Sequence, residues 1–417
     1  MERIHIAFFG PTNSGKSTLV NAIAGQQVSL VSAVPGTTTD PVRKAIELPR
    51  LGPCVLIDTA GFDDTGVLGP ERLRLTLAVF DEADIAVEVL PMSQNPGHWE
   101  QNSPKNAPNI PDFGTLASQA GIPLLRFARG ESVESLLQRI KDALPQEEER
   151  FLTGDLVNEG DTVLLVMPQD SEAPKGRLIL PQVQVLRELL DRGCIPHCCT
   201  PASLPTALAT LKGLPALTIT DSQVFGLVNQ TLPAEAPLTS FSVLLAAAKG
   251  DIAVFVEGAR AIDRLKPGDS VLIAEACTHV PDTEDIGRVK IPALLRKRVE
   301  MPDQVGHNGG IQSAAAGGFL DREHFSASET KNQSSGAPVD LHIDIAAGND
   351  FPEDLSRYSL IIHCGACVAG RQVVRSRIRK ALRGGVPITN YGIALAKLQG
   401  ILDRIAIPGL QTRRQSS

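Results

Sequence analysis

The chain has 417 residues, 42% of them hydrophobic and 21% charged, and carries a formal net charge of −7. The length predicts about three domains, and the acidic balance excludes a general nucleic-acid binder, because affinity for phosphate backbones depends on clustered Lys and Arg. The apolar stretches stay far below the ~20 residues that span a bilayer, and the N-terminal sequence shows no export-signal pattern. Together with seven cysteines, these features predict a protein of the reducing cytoplasm, without membrane or nucleic-acid partners, whose thiols are available for metal binding.

The pattern of the chain predicts three successive α/β units. Over residues 1–150, β-rich runs such as IHIAFF alternate with helical patterns such as STLVNAIAG, which is typical of a parallel sheet with helices on both faces. A second unit spans 151–262, and a third spans 263–417. Two segments break the pattern: 91–114 is rich in Pro, Asn and Gln, and about 302–338 is a Gly/Ser/Ala-rich stretch that predicts a mobile insertion.

A phosphate-binding loop is predicted at residues 10–17, GPTNSGKS, which match G-x-x-x-x-G-K-[ST] between a predicted strand and a predicted helix. Gly10 and Gly15 allow successive backbone N–H groups to curve around phosphate oxygens, and the helix N-terminus adds its positive dipole end. Lys16 is predicted to reach the outer phosphates and Ser17 to bind Mg²⁺. The predicted nucleotide-binding residues are Gly10, Asn13, Ser14, Gly15, Lys16, Ser17 and Thr18.

A second motif of the nucleotide site, DTAG, follows the hydrophobic strand CVLI. Asp58 at the carboxyl end of this strand is placed to hold Mg²⁺ through water, and the Gly61 N–H is placed to sense a γ-phosphate. Upstream, the stretch VPGTTTD offers Thr38 as the hydroxyl that completes the Mg²⁺ shell, with Thr37 and Thr39 as alternatives. The predicted catalytic residues are therefore Lys16, Thr38, Asp58 and Gly61.

These three motifs resemble the G1, G2 and G3 motifs of small bacterial GTPases of the Era and MnmE type. The resemblance implies a slow GTP hydrolase that is stimulated by K⁺ bound beside Asn13. Phe62 stands where a water-positioning glutamine follows the DTAG motif in other GTPases. The base-reading motif N-K-x-D, expected near residues 90–115, is not found there, so the preference for guanine follows from the resemblance alone.

A metal site is predicted where two aliphatic runs end, at EACTH and HCGAC. The C-x-x-C spacing directs Cys364 and Cys367 to one metal around a turn. If both runs are parallel strands, their carboxyl ends share one sheet edge, which would add Cys277 together with His279 and His363. Three thiolates with a labile fourth position suit a [4Fe-4S] cluster. A zinc or redox pair at HCGAC, with Cys277 a buried thiol at a strand end, remains an alternative.

The pattern C-x-H followed by H-C-x-x-C, joined to an Era-like GTPase domain, resembles the maturation GTPases of iron-iron hydrogenases, the HydF family. Further stretches that carry the resemblance include APKGRLILPQVQVLREL, EDIGRVKIP and GVPITNYGIALA. It implies a GTPase domain, a dimerisation domain that forms a homodimer, and a cluster-binding domain. It also implies cluster ligation by Cys277, Cys364 and Cys367, with His279 or His363 as the fourth, exchangeable ligand.

The function implied by the resemblance is that of a scaffold. Such a protein receives a di-iron precursor with CO and cyanide ligands and delivers it to apo iron-iron hydrogenase, in concert with radical-SAM maturation enzymes. Two other classes stay open from the residues: an RNA-modification or ribosome-assembly GTPase with a zinc module, and an iron-sulfur redox or sensor protein with a decayed nucleotide site.

Two other groups of residues are assigned no role in the chemistry. The stretch CIPHCC, with Cys194, His197, Cys198 and Cys199, is interpreted as a packing feature of the middle domain. The helix after Cys367 is strongly basic, and we expect only Arg371 to lie near the cluster, with the other basic residues on a solvated face. Those residues are Arg375, Arg377, Arg379, Lys380 and Arg383.

Overall fold

A computed structural model describes the fold over residues 3–25, 41–61, 69–90, 112–128, 130–145, 151–169, 176, 178–276, 285–300, 340–348 and 350–410, with side chains from residue 73 onward in the segment that starts at residue 69. Several predicted residues lie outside these ranges, namely Thr37, Thr38, Thr39, Phe62, Cys277 and His279. The predicted insertion at 302–338 and residues 91–111 also lie outside them.

The first domain is built on a five-stranded sheet with the strand order β2-β3-β1-β4-β5. Its elements are β1 (Ile4–Phe9), α1 (Lys16–Ala24), β2 (Val42–Leu48), β3 (Gly52–Asp58), α2 (Gly69–Ala78), β4 (Ile85–Val89), α3 (Phe113–Ala120), β5 (Leu124–Phe127) and α4 (Val133–Ala143). The strands are parallel except for β2, which pairs antiparallel with β3 at the edge. Exposure alternates along β2, with Arg43, Ala45 and Glu47 on the exposed face, as expected for a strand with one solvated face.

Helices cover both faces of this sheet, so alternate residues of β1 belong to two different hydrophobic cores. Phe8 packs with Leu19 and Leu136 on one face. Phe9 stacks on Phe80 on the other, with ring centroids 4.1 Å apart. The phosphate-binding loop follows β1 and the DTAG turn follows β3. Because the two strands are parallel neighbours, both segments emerge at the carboxyl edge of the sheet.

The middle and third domains each contain a four-stranded, fully parallel sheet. The middle domain comprises β6 (Thr162–Val166), α5 (Leu180–Asp191), β7 (Ile195–Cys199), α6 (Leu204–Thr210), β8 (Leu217–Thr220), α7 (Phe225–Thr231), β9 (Leu238–Ser240) and α8 (Phe241–Lys249). The third domain comprises α9 (Ile252–Ala259), β10 (Ser270–Ala274), α10 (Ile291–Glu300), β11 (His342–Ala346), β12 (Leu360–His363), α11 (Arg371–Arg383), β13 (Ile388–Asn390) and α12 (Tyr391–Leu398).

These two sheets have the same topology. In their strand orders, β7-β6-β8-β9 and β11-β10-β12-β13, the first strand lies between the second and the third, and the fourth follows the third. Each ends in a short strand followed at once by a helix whose N-cap is polar, Ser240 for α8 and Asn390 for α12. The corresponding sequences, LTSFSVLLA and ITNYGIALA, show the same order of apolar and polar residues.

The middle and third domains share one hydrophobic core. Leu164 and Phe225 from the middle domain belong to the same buried cluster as Ile273 and Ile361 from the third. The two domains therefore bury apolar surface against each other.

The third domain also contacts the GTPase domain. Asp81, three residues after the end of α2, accepts hydrogen bonds from the Ser376 hydroxyl and the Lys380 ammonium of α11, both over 2.5 Å. Lys380, expected on a solvated face, is thus part of a contact between domains. Within the described part of the chain, no helix is both long and apolar enough to cross a membrane.

Candidate functional site

The phosphate-binding loop has the backbone shape that its sequence predicts. Asn13 (φ 61°) and Gly15 (φ 97°) adopt the left-handed conformation, which turns the chain sharply between β1 and α1. At Gly10, a Cβ atom would lie 2.5 Å from the Val89 carbonyl oxygen, so only glycine fits against the end of β4. The loop is therefore preformed to wrap around phosphate oxygens.

The polar groups of this loop converge on one place. The Lys16 ammonium donates to the carbonyls of Gly10 (3.0 Å) and Pro11 (2.8 Å), which places it over the loop. The Ser14 hydroxyl is buried and has no hydrogen-bond partner among the described residues. A buried hydroxyl without a partner is costly, and a nucleotide phosphate would supply one.

Two of the three predicted Mg²⁺ residues, Ser17 and Asp58, are in direct contact. The Ser17 hydroxyl donates to Asp58 Oδ2 over 2.6 Å, because β1 and β3 are neighbours with Phe8 opposite Asp58. Gly61 lies against Thr12 of the phosphate-binding loop, where a Cβ atom would overlap the Thr12 backbone. Four of the predicted positions, Lys16, Ser17, Asp58 and Gly61, therefore meet at one sheet edge, whereas Thr38 lies outside the described residues.

One residue of this edge was not predicted. The Thr59 hydroxyl is buried and donates to the Phe8 carbonyl over 2.7 Å, which ties the DTAG turn to β1. The signal was present in the sequence, since Thr59 belongs to the motif itself. The base-reading motif N-K-x-D was expected near residues 90–115 and was not found in the sequence. Most of that stretch, residues 91–111, lies outside the described part of the chain.

The second site lies where β10 and β12 end. The two strands are adjacent and parallel, with Ala274 opposite His363, so their carboxyl ends share one edge as predicted. Cys364 Sγ accepts the backbone N–H of Ala276 (3.1 Å) and that of Ala366 (3.4 Å). Ala276 is the residue before Cys277 in the sequence, and Cys277 itself lies outside the described residues.

Two thiols follow the end of β12 at this edge of the sheet. Cys364 and Cys367 are both half-buried at the end of a strand, and backbone N–H donors to sulfur stabilise a cluster thiolate. Within the described part of the chain, no group of three or more metal-ligating side chains is assembled. The third thiolate of the predicted set would have to come from Cys277.

The side chain of His363 is fully buried and held between two protein groups. Its Nε2 lies 3.3 Å from Arg377 Nη1, and its Nδ1 lies 2.7 Å from the Cys364 carbonyl oxygen. Arginine only donates and a carbonyl only accepts, so Nε2 is the acceptor and Nδ1 carries the proton. Burial, together with the charge of Arg377, lowers the pKa of His363 to about 3, which keeps the ring neutral.

Arg377 is the residue of α11 that reaches this edge. It is buried, donates to the carbonyls of Glu275 (3.0 Å) and Gly348 (2.5 Å), and lies 5.0 Å from the centre of the Phe351 ring. The expectation that it lies on a solvated face was wrong, because the helical periodicity of α11 carries it inward on the same side as Val374.

A tyrosine hydroxyl faces the same region. The Tyr391 hydroxyl is inaccessible to solvent and has no hydrogen-bond partner among the described residues. Burial and the nearby charge of Cys364 raise the pKa of Tyr391 well above its ordinary value, so the hydroxyl keeps its proton. Sequence reasoning missed this residue, although its place directly after β13 puts it at the same sheet edge.

The cysteines of the middle domain have a different environment. Cys198 and Cys199 lie on the edge strand β7, where side chains alternate between faces. Burial and the neighbouring Cys198 raise the pKa of Cys199 to about 11, which favours the thiol over the metal-binding thiolate. Cys194 is buried, with its thiol 3.3 Å from the Asn158 carbonyl.

The fold and the first site define a P-loop GTPase joined to two parallel α/β domains. Comparison with protein families matches residues 5–109 to a 50S ribosome-binding GTPase, residues 152–250 to the hydrogen maturase F dimerization domain, and residues 253–316 and 331–408 to the hydrogen maturase F tetramerization domain. The last two matches together cover more than half of the chain. The chain belongs to the hydrogen maturase F (HydF) family, and its first domain is a P-loop GTPase domain.

Curated relatives share only part of the chain. The tRNA modification GTPase MnmE of Xanthomonas oryzae pv. oryzae is 41% identical over 88 residues, which are 21% of this chain and 20% of the relative. MnmE of Ruegeria pomeroyi is 36% identical over 141 residues, 33% of this chain and 32% of the relative. The chain thus spans about a third or less of the length of these relatives.

Solved structures that match part of the chain include Aquifex aeolicus Era bound to GDP and aluminium fluoride. It is 18% identical, with 51% of this chain and 99% of that chain covered and a TM-score of 0.26. Arabidopsis thaliana Toc33 in a dimerization-deficient form is 15% identical, with 36% and 86% covered and a TM-score of 0.24.

Proposed function

We propose that this chain is a scaffold that binds a [4Fe-4S] cluster, carries a di-iron precursor of the hydrogenase active-site cluster, and delivers it to apo iron-iron hydrogenase in the cytoplasm. The proposal depends on the hydrogen bonds that Cys364 Sγ accepts. This sulfur accepts two backbone N–H groups at a sheet edge, and one of them belongs to the residue before Cys277. The precursor would come from radical-SAM maturation enzymes.

The ligands we propose for the cluster are Cys277, Cys364 and Cys367, with His279 as the exchangeable fourth ligand. Of the two histidines considered, His363 is the less suitable, because both of its ring nitrogens already have protein partners. Binding His363 to iron would require breaking its contact with Arg377 or with Cys364. A labile fourth position leaves one iron able to accept a ligand atom of the incoming cargo.

The nucleotide site would work with Mg²⁺ held by Ser17, Asp58 and Thr38, and with K⁺ beside Asn13. Asn13 has a left-handed backbone conformation within the loop (φ 61°). Lys16 would neutralise charge on the outer phosphates, and the Gly61 N–H would contact the γ-phosphate.

Anaerobic reconstitution with iron and sulfide, followed by EPR of the reduced protein, tests the cluster proposal. We expect one [4Fe-4S] cluster per chain, with a spectrum that changes on addition of cyanide or imidazole, because either can occupy an open iron position. A protein that takes up zinc in a closed tetrahedral site, or a cluster whose spectrum ignores both additions, would exclude a carrier of this kind.

We further propose a homodimer formed through the middle domain. Three apolar side chains on and beside α5 are about half exposed: Val183 (46%), Leu190 (54%) and Ile195 (53%). Ile195 begins β7, which is an edge strand of its sheet. An exposed apolar face beside an unpaired edge is suited to pairing with a second copy.

The double variant Val183→Glu and Leu190→Glu is expected to weaken dimerisation at least about 100-fold, because unpaired carboxylates would have to be buried in the interface. Light scattering after size-exclusion chromatography measures this as a shift from dimer to monomer. Leu227→Glu is the matched control, since Leu227 is equally exposed (52%) but lies on α7, away from β7. A double variant that stays dimeric would place the interface elsewhere.

A further inference from the structure

A lysine of the middle domain is bound into the loop that carries the cysteine pair. Lys249, in the last turn of α8, is 6% exposed. Its ammonium donates to the carbonyls of Ala366 (2.8 Å) and Ala369 (2.9 Å) and lies 3.5 Å from that of Cys367. A side chain more than one hundred residues away in sequence thus joins three backbone groups of the HCGAC loop.

The shape of the loop explains why a lysine is suited to this place. Ala366 has a left-handed backbone (φ 50°), which is uncommon for a residue with a Cβ atom. The resulting turn directs neighbouring carbonyls to one point. An ammonium group has three donors and no acceptor, so it can satisfy several converging carbonyls at once. Without the ammonium, these carbonyls would lose the hydrogen-bond contacts that join them.

The other end of α8 also lies against this edge. The Ser242 hydroxyl in the first turn of α8 accepts the backbone N–H of Gly392 (3.1 Å) and lies 3.3 Å from Asn390 Oδ1. A Cβ atom on Gly365 would come within 3.7 Å of the same hydroxyl. The helix therefore runs along the cysteine loop, with a polar contact near each end.

We infer that Lys249 is a positioning residue of the cluster site, so that the middle domain helps to form a site whose thiols belong to the third domain. This inference rests on the proposed function for the identity of the ligand. Lys249 would hold Cys364 and Cys367 at the spacing that a cluster needs. Its positive charge would also favour the more negative, reduced state of a thiolate-bound cluster.

Hydrogen exchange on the cluster-free, full-length protein tests the positioning role. In Lys249→Met, which keeps the length of the side chain but removes the donors, we expect the amides of residues 364–370 to exchange at least about tenfold faster. Lys249→Arg should restore much of the protection, because it keeps the charge and the donors. Lys212→Met, at an exposed lysine of the same domain, should exchange like the wild type.

Exchange in β6 and β10 shows whether a variant is still folded. If Lys249→Met exchanges faster throughout these strands, the variant is not folded and the test passes to Lys249→Arg. Faster exchange of residues 364–370 in Lys249→Arg than in the wild type would then overturn the inference. Loop exchange in Lys249→Met equal to that of the wild type would overturn it as well. Neither result depends on whether the protein binds a cluster.

Reconstitution of the same variants gives the second measurement. We expect Lys249→Met to retain less iron than the wild type and its cluster to have a more negative reduction potential, with both values recovering towards the wild type in Lys249→Arg. An unchanged potential and iron content in Lys249→Met would overturn the inference for the cluster site. If the wild type itself takes up no cluster, the proposed function fails, and the exchange data still decide whether Lys249 fixes the loop.

Discussion

Replacing Cys364 with serine is expected to remove cluster binding while GTP hydrolysis continues at nearly the wild-type rate. Loss of a hydrogen-bonding partner beyond the ligands costs a metal site about 10–100-fold in affinity, so loss of a ligand should cost at least the upper value. The thiol of Cys364 also accepts two backbone N–H groups that a serine hydroxyl would hold less well at the same distances. Iron content after reconstitution and EPR measure the loss, and phosphate release measures hydrolysis.

Cys367→Ser and Cys277→Ser should behave like Cys364→Ser, because the proposal assigns one cluster to all three thiols. The matched control is Cys198→Ser, which removes an exposed thiol of the middle domain and should leave iron content unchanged. Retention of the cluster in Cys277→Ser would show that Cys277 is not a ligand. Equal loss of hydrolysis and cluster binding in Cys364→Ser would show that the two sites are not separate.

Replacing Lys16 with alanine is expected to lower GTP turnover at least about 100-fold, because removing one preorganised donor to a developing charge costs 10²–10³ in rate. The Lys16 ammonium lies over the phosphate-binding loop, and the alanine side chain cannot reach the outer phosphates. Asp58→Asn should give a loss of similar size, because Asp58 accepts a hydrogen bond from Ser17 and both residues are proposed to hold Mg²⁺. Phosphate release in Mg²⁺ and K⁺ buffer measures both variants.

Lys141→Ala, which removes an exposed lysine from α4 of the same domain, is the control and should hydrolyse GTP like the wild type. Both nucleotide-site variants should still bind a cluster on reconstitution. The same assay with Na⁺ in place of K⁺ tests the proposed K⁺ site beside Asn13, and we expect slower turnover in Na⁺. Wild-type turnover in Lys16→Ala would mean that the observed hydrolysis does not come from this loop.

The third domain is attached to both other domains through α11 and the cysteine loop. Asp81 of the GTPase domain contacts Ser376 and Lys380 of α11, and Lys249 of the middle domain contacts the loop that precedes this helix. The third domain therefore contacts the GTPase domain through α11 and the middle domain through the cysteine loop. An isolated third domain would lack the Lys249 contact, so reconstitution experiments need the full-length chain.

The phosphate-binding loop could be predicted because its chemistry is local. Its groups lie within eight consecutive residues, and the flanking apolar runs predict the strand and helix between which they are held. That β10 and β12 end at the same edge was also predictable, since the carboxyl ends of parallel strands share one edge of a sheet. The structure confirms the shared edge and shows in addition that the two strands are neighbours. The assignment of cluster ligands stays a prediction, because Cys277 and His279 lie outside the described residues.

The surroundings of the cysteine pair could not be predicted in the same way. Basic helical residues are usually solvated, so Arg377 was placed on a surface from composition alone, whereas the structure buries it against His363. Lys249 and Tyr391 belong to segments that read as ordinary helices. Nothing in their local sequence indicates which carbonyl or thiol lies opposite them.

The amino-acid sequence by itself determined the nucleotide-binding motifs, the three α/β units and the cysteine pair, because each follows from residues close together in the chain. Only the tertiary structure decided that His363 is enclosed by Arg377 and the Cys364 carbonyl, and that Lys249 supports the cysteine loop. The physical reason is that these contacts depend on how whole helices pack across sheets and domains. Such packing follows from the burial of many side chains together rather than from any short pattern.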